Sequence, residues 1–363
     1  MTRPVEDLAL HVRAHRIPLG AYLAVAYTLL IVHASLNPFI GWRLPEAGML
    51  AFLAVWPRYL TAFDIVVNVA AYVPFGVLLA VALARRLRHP ELLIAVTAAG
   101  ALLSLSLEAL QSLLPGRIAS VVDLIANAAG AALGALAGPW LRHPPVKRHV
   151  IALRHALFLQ GRVVDWGLAL LGLWLLAQTN PALPLMASWA PQAWLSPAPE
   201  PFSFPQMLSV MLNTFAASAL IGILLQPARR AWWWALSFMA MVCAVKWVAA
   251  QWLVKPGLAL GWASREAVVG SGYGLALAGL AGLARLRAQV AAAGLALALG
   301  LVLAWVAHPQ VASPAVALAA FSWRGGHLFT FTGLTQAVAG IWPWLALGYL
   351  GLFYLRLGNQ RPA

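Results

Sequence analysis

Three acids stand in strongly apolar sequence, each with a carboxamide one helical turn away. Asp64 is followed by Asn68, Glu108 by Gln111 and Asp123 by Asn127, with Pro115-Gly116-Arg117 between the last two pairs. Spacings of three or four residues put both members of a pair on one helix face. The chain holds only 10 Asp and Glu in 363 residues. An ionisable group inside an apolar span is costly to desolvate, so such a group marks a candidate site. Two carboxyls can act as acid and base, or hold a divalent cation together with carboxamide oxygens. An arginine beside them suits a phosphate. The candidate catalytic groups are therefore Glu108, Asp123 and Asp64. The candidate substrate-binding groups are Arg117, Asn68, Gln111, Asn127 and Arg58. No metal site is assigned, no cofactor is identified, and no His, Ser or Cys nucleophile accompanies the acids, which counts against a hydrolase.

Plainer roles compete with these. Asp64 and Asp123 also suit helix caps or first-turn acids that complement the helix dipole. Asn68 and Asn127 also suit hydrogen bonds between helices, worth roughly 0.6 kcal/mol each in a membrane. Glu108 lies among Leu105, Leu107 and Leu110, too deep for a cap. It either pairs with Arg117 or Arg58 as a structural bridge, or serves as a protonatable acid. Gly130, Gly134 and Gly138 form a small-residue stripe, read as close helix packing. Pro74, two residues after Tyr72, interrupts the hydrogen-bond ladder of its helix.

The elements that position these residues are membrane helices. At 62% hydrophobic and 9% charged residues, with a mean hydropathy of +0.82, the composition excludes an ordinary soluble domain. We expect an all-α, polytopic integral membrane bundle of about ten spans: 18–36, 64–84, 91–113, 121–141, 163–179, 206–226, 232–254, 264–284, 290–307 and 334–355. The net charge of +14 comes from basic residues placed between the spans, which are topology signals and not a nucleic-acid surface. With both termini cytoplasmic, only Arg43, Arg58, Arg117, Lys255, Arg265 and Arg324 fall in outer segments, and Lys246 lies within a span. The acid–amide pairs then face the extracytoplasmic side of the membrane. The basic segment Arg3–Arg16 and the apolar run after it resemble a signal peptide, and we read them as an uncleaved first helix. His11 and His15 read as solvated surface. Cys243 has no disulfide partner within the chain. Segment 42–60, with Trp42 and Trp56, suits an interfacial or re-entrant helix, and the Pro- and aromatic-rich loop 180–205 suits the outer headgroup layer.

Two membrane domains are expected, 1–150 with the polar motif and 151–363, the second a possible degenerate repeat of the first. In that alignment Asn213, Gly222, Gln251 and Glu266 answer to Asn68, Gly76, Gln111 and Asp123. Lys246 and Gln251 are candidates to pair with Glu266.

Asn68-x-x-x-Tyr72-x-Pro74-x-Gly76, Glu108-x-x-Gln111, Gly116-Arg117 and Asp123-Leu124-Ile125-x-Asn127-x-x-Gly130-x-x-x-Gly134 resemble the pattern of VanZ-like membrane proteins over about 20–141. The resemblance implies a multi-pass protein of the bacterial cell envelope. The founding member is linked to low-level resistance to the glycopeptide teicoplanin, and the family supplies no accepted catalytic residues. The long second half departs from its short members. Three functions stay open: binding or processing of an anionic lipid or lipid-linked envelope intermediate, transport or flipping with a protonatable Glu108, and a non-catalytic membrane scaffold. Membrane lipids are the expected partners.

Overall fold

A computed structural model describes residues 19–36, 39, 41–57, 62–84, 86–115, 117–141, 144–181, 183, 185–186, 201–227, 232–255, 257–307 and 327–359. Eleven α-helices lie among them: α1 (Leu19–Leu36), α2 (Ala62–Leu83), α3 (His89–Gln111), α4 (Val121–Leu141), α5 (Pro144–Leu157), α6 (Arg162–Gln178), α7 (Phe204–Leu224), α8 (Trp232–Leu253), α9 (Arg265–Ala281), α10 (Leu286–Ala307) and α11 (His327–Asn359). Each predicted span falls on one of these helices. Seven of them, α2, α3, α4, α7, α8, α10 and α11, are long and apolar enough to cross a membrane. The protein is thus a helical, multi-pass membrane protein. Helices α1, α6 and α9 have 18, 17 and 17 residues, or about 26 Å of rise at 1.5 Å per residue.

The chain divides into two compact units, the first running through Leu153 and taking in residues up to Leu334 at the start of α11, the second holding the rest. In the first unit α2 packs along α4, α3 lies against α4, and α1 lies against α2. A small apolar core forms around Ile31, Leu36, Tyr72, Phe75, Leu107 and Leu114. In the second unit α7 is the central helix, packed between α9 and α10. Its neighbours include Trp174 and Trp342, both almost fully buried, and the Trp342 indole N–H donates to the Leu170 carbonyl at 2.7 Å.

Segment 42–57 holds one 3-10 turn, Ala51–Ala54, in place of the expected helix. Gly41 and Gly48 have φ of 77° and 87°, a left-handed backbone that breaks any helix through this stretch. Phe52 is buried while Trp42 and Trp56 are exposed. The basic stretch after α4 was expected to be a connection and is instead helix α5.

Candidate functional site

Contact between main chains sets the frame of the site. A Cβ on Gly130 would stand 2.3 Å from the Val69 carbonyl oxygen, and one on Gly134 would stand 2.3 Å from that of Val73. Gly76 meets the Ala131 carbonyl in the same way, at 2.3 Å. No side chain fits at these distances, so the stripe is a packing device, as its spacing suggested. Both contacts advance in the same direction along the two chains, so α2 and α4 run parallel. Their N-terminal ends, with Asp64 and Asp123 in the first turns, therefore lie together with the C-terminal end of α3, which carries Glu108 and Gln111.

Glu108 closes that end. It sits in the last turn of α3, where exposed carbonyls make a carboxylate unwelcome. Its Oε2 accepts the backbone N–H of Ser120 at 2.9 Å, and a hydrogen bond to an ionised acceptor is the stronger kind. Ser120 is the N-cap of α4, its Oγ accepting the Val122 N–H at 3.2 Å. In a capping box, the acid at the third helical position, here Asp123, would hold the N-cap N–H. Glu108 fills that role from another helix. Arg117, half-buried in the turn between α3 and α4, feels the Glu108 charge. Burial draws its guanidinium pKa below the usual arginine value, and Glu108 opposes that shift.

The same turn holds the end of α1. The Arg117 Nη2 donates to the Ala34 carbonyl at 3.3 Å, and the Gln111 Nε2 to the Ser35 carbonyl at 2.9 Å. Both oxygens belong to the last turn of α1, which has no later helical N–H to pair with. Two of the expected substrate-binding residues thus act as caps. The Arg43 N–H adds a bond to the Leu113 carbonyl at 2.8 Å.

One turn deeper lies a polar layer. Asn127 Nδ2 donates to Ser104 Oγ at 2.9 Å, with both residues buried. The Asn127 Oδ1 and the Tyr72 hydroxyl are buried without a hydrogen-bond partner. Ser104 lies close enough to interact with that hydroxyl without meeting it in good hydrogen-bond geometry, and the charge of Glu108 reaches it as well. Asn68, Asp123 and Glu108 are 7%, 9% and 4% exposed, so the two acids and two carboxamides sit at core-like burial. Beside Pro74, the Ala71 carbonyl accepts the Tyr27 hydroxyl at 2.9 Å.

Glu108, Arg117, Asn127 and Tyr72 therefore belong to one connected set. Asn68 and Asp123 lie buried at the same end of the bundle, Asp64 is half-buried at the start of α2, and Gln111 is turned to α1. Arg58 and Gly116 lie outside the described residues, as do His11, His15, Arg85, Arg229, Arg230, Pro256 and most of loop 180–205. Among the described residues no group of three or more His, Cys, Asp or Glu side chains is placed to hold a metal ion. Sequence reasoning overlooked Ser104 and Ser120. Ser104 stands four residues before Glu108, on the same face, and Ser120 begins the pattern Ser-x-x-Asp, which is itself a capping signal.

In the second unit α7 and α9 meet through a similar glycine contact. Cβ atoms on Gly270 and Gly274 would lie 2.5 Å from the Met207 and Met211 carbonyl oxygens, matching Gly130 and Gly134 over Val69 and Val73. This register sets Val210 against Tyr72, Ala263 against Asp123, and Ala267 against Asn127. It differs from the expected alignment: in this register Asn68 answers to Gln206 and not to Asn213, Gly76 to Thr214 and not to Gly222, and Asp123 not to Glu266. The Glu266 Oε1 accepts the Ser203 N–H at 3.2 Å, and Lys246 is held elsewhere. Its fully buried Nζ donates to the Asn180 and Leu183 carbonyls at 2.9 and 2.7 Å, so the expected pairing with Glu266 is not formed. Two cavities, of about 170 and 500 Å³, both lie in this second unit.

Residues 19–142 match the family model described as VanZ/LLP1. That match covers the helices that build the polar site. No curated protein matches the chain, and no solved structure does.

Proposed function

We propose that this membrane protein, VanZ-like over residues 19–142, binds the headgroup of an anionic lipid or lipid-linked envelope intermediate at the Glu108 end of its first unit. The observation that carries this reading is the pair of unpartnered polar atoms beside two buried acids. The Tyr72 hydroxyl and the Asn127 Oδ1 are buried without partners, and orphaned groups of this kind cost roughly 1–3 kcal/mol each unless a ligand or water satisfies them. Tyr72 offers a donor and Asn127 an acceptor. Arg117, half-exposed at the turn, supplies the positive charge that a phosphate needs. The basic-residue pattern of the sequence supports an extracytoplasmic position for this end, in a bacterial inner membrane. In such a site Glu108 and Asp123 are the candidates for proton transfer.

The test compares wild-type protein with Tyr72→Phe and Arg117→Lys in nanodiscs holding either a phosphate-bearing lipid or only zwitterionic lipid. Retention of the anionic lipid through purification is read by native mass spectrometry. Retention by the wild type and its loss in both variants, at unchanged thermal stability, supports the site. Equal retention in all three sinks it.

A second reading, a non-catalytic scaffold, draws on the bonds of Glu108 to Ser120, Arg117 to Ala34 and Gln111 to Ser35. These join three helix ends and need no ligand. Under that reading every variant of these residues lowers stability, and none changes lipid retention at matched stability.

A further inference from the structure

We infer that segment 41–57, between α1 and α2, rests on the bilayer surface and sets its apolar side chains at the boundary of headgroups and acyl chains. Its ends are held at one level. Helix α1 ends at Leu36 and α2 begins at Ala62, both at the end of the first unit that carries Glu108. The Arg43 N–H, bonded to the Leu113 carbonyl at 2.8 Å, ties the segment to the turn after α3. A Cβ on Gly41 would lie 3.7 Å from the Pro115 ring, and Phe52 is buried. These tethers keep the segment where the chain leaves the hydrocarbon.

The side chains fit that boundary. Trp42, Leu44, Leu50, Leu53, Val55 and Trp56 are exposed, Leu44 at 82% and Trp56 at 66%, an apolar surface that water-facing loops rarely carry. The Trp42 indole N–H donates to the Phe39 carbonyl at 2.8 Å. Its polar group is thus satisfied within the protein while the ring stays exposed, as suits tryptophan at a membrane interface. Ile118 in the turn after α3, 89% exposed, and Ile125 on α4, 56% exposed, continue this surface onto that of the spans. The backbone sets the depth. The Gly48 N–H donates to the Pro45 carbonyl and the Ala51 N–H to the Gly48 carbonyl, but no helix runs through the segment, and irregular main chain is not tolerated against lipid in the hydrocarbon core. Of the interfacial and re-entrant arrangements, the segment therefore takes the first. Its charges are one Arg43 and one Glu46, so apolar side chains, and not attraction to anionic headgroups, hold it there.

The test uses the full-length protein in a Cys243→Ser background, reconstituted with phosphatidylcholine alone or with added phosphatidylglycerol. Nitroxides at Leu44→Cys and at Val55→Cys, both exposed positions, report access to oxygen, which concentrates in lipid, and to a water-soluble nickel chelate. Lipids labelled in the headgroup, the upper acyl chain and the chain end calibrate depth. The expected oxygen-to-nickel ratio at both positions lies between those of the headgroup and upper-chain labels, several-fold above that of a nitroxide in water, and changes less than two-fold with phosphatidylglycerol. A ratio equal to that in water would overturn the placement. A ratio matching the chain end would make the segment re-entrant and overturn the depth. Low access to both reagents would mean that protein, such as a second copy of the chain, covers the surface, and would overturn the lipid contact. A several-fold change with phosphatidylglycerol would overturn its apolar basis. Loss of the Glu108 site by Tyr72→Phe should leave both ratios unchanged, so the two proposals fail separately.

Discussion

Glu108, in the last turn of α3, accepts the backbone N–H of Ser120, the N-cap of α4, at 2.9 Å. A glutamate from one helix thus completes the cap of the next. This explains how an acid can be kept near the C-terminal end of a helix, where the dipole opposes it.

The first prediction follows from that bond. Glu108→Ala strands the Ser120 N–H and should cost about 1–3 kcal/mol, whereas Glu108→Gln keeps an acceptor oxygen and should cost about 1 kcal/mol or less. Thermal unfolding in detergent measures both. If Asp123→Asn proves more costly than Glu108→Ala, the cap depends on Asp123 and the assignment is wrong.

The glycine contacts give a second. Gly134→Val drives a side chain into the Val73 carbonyl, at 2.3 Å for the Cβ alone, and neither backbone can give way cheaply. A loss above about 3 kcal/mol, or failure to recover monodisperse protein, is expected. Gly172 has nothing within 4 Å of its Cβ position, so Gly172→Ala should be neutral or slightly stabilising. Size-exclusion profiles of the two variants separate these outcomes.

Uncapping α1 is a third. Arg117→Ala and Gln111→Ala each remove a donor from its last turn, at about 1 kcal/mol apiece. Amide exchange in the last turn of α1 should quicken about five-fold while α4 keeps its protection. Equal exchange throughout would mean that the turn does not hold α1.

Tyr72→Phe supplies a fourth. It removes a buried hydroxyl that has no partner, so stability should hold or rise by up to about 1 kcal/mol, with anionic-lipid retention lost. A drop of about 2 kcal/mol would show that the hydroxyl is satisfied within the protein.

A fifth concerns Lys246. Its Nζ is bonded to two main-chain oxygens of the segment after α6, and Lys246→Met leaves both without that donor. A cost of about 2 kcal/mol or more is expected, together with faster proteolysis near Asn180. A stable variant with an intact 180–186 segment would refute this role.

The helices were legible because apolar runs of about twenty residues can do little else in lipid. The acids were legible because Asp and Glu are rare in such runs. What could not be read was direction around each helix axis. Gln111 and Arg117 share the motif with Glu108, yet both turn to the carbonyls of α1, which offer acceptors without a side chain to announce them. Ser104 and Ser120 escaped attention because serine is common and small. The alignment of the two halves slipped because asparagine and glycine were matched by identity, whereas main-chain contact at Gly270 and Gly274 sets the register. Helix α5 was hidden by two prolines and a run of basic residues, although its apolar spacing is helical.

The α2–α4 contact also bears on motion. Side chains packed together can exchange rotamers and so admit a second arrangement. Two main chains pressed together at Gly76, Gly130 and Gly134 have nothing to exchange, and sliding by a fraction of a turn would set carbonyl against Cβ. These two helices therefore form the stator of the first unit. Movement that reaches the polar layer would then fall to α1 and the turn after α3, which are joined by hydrogen bonds and by the apolar core around Ile31, Leu36 and Leu114. Opening of that kind would be gated by the ends of helices while their middles stay still.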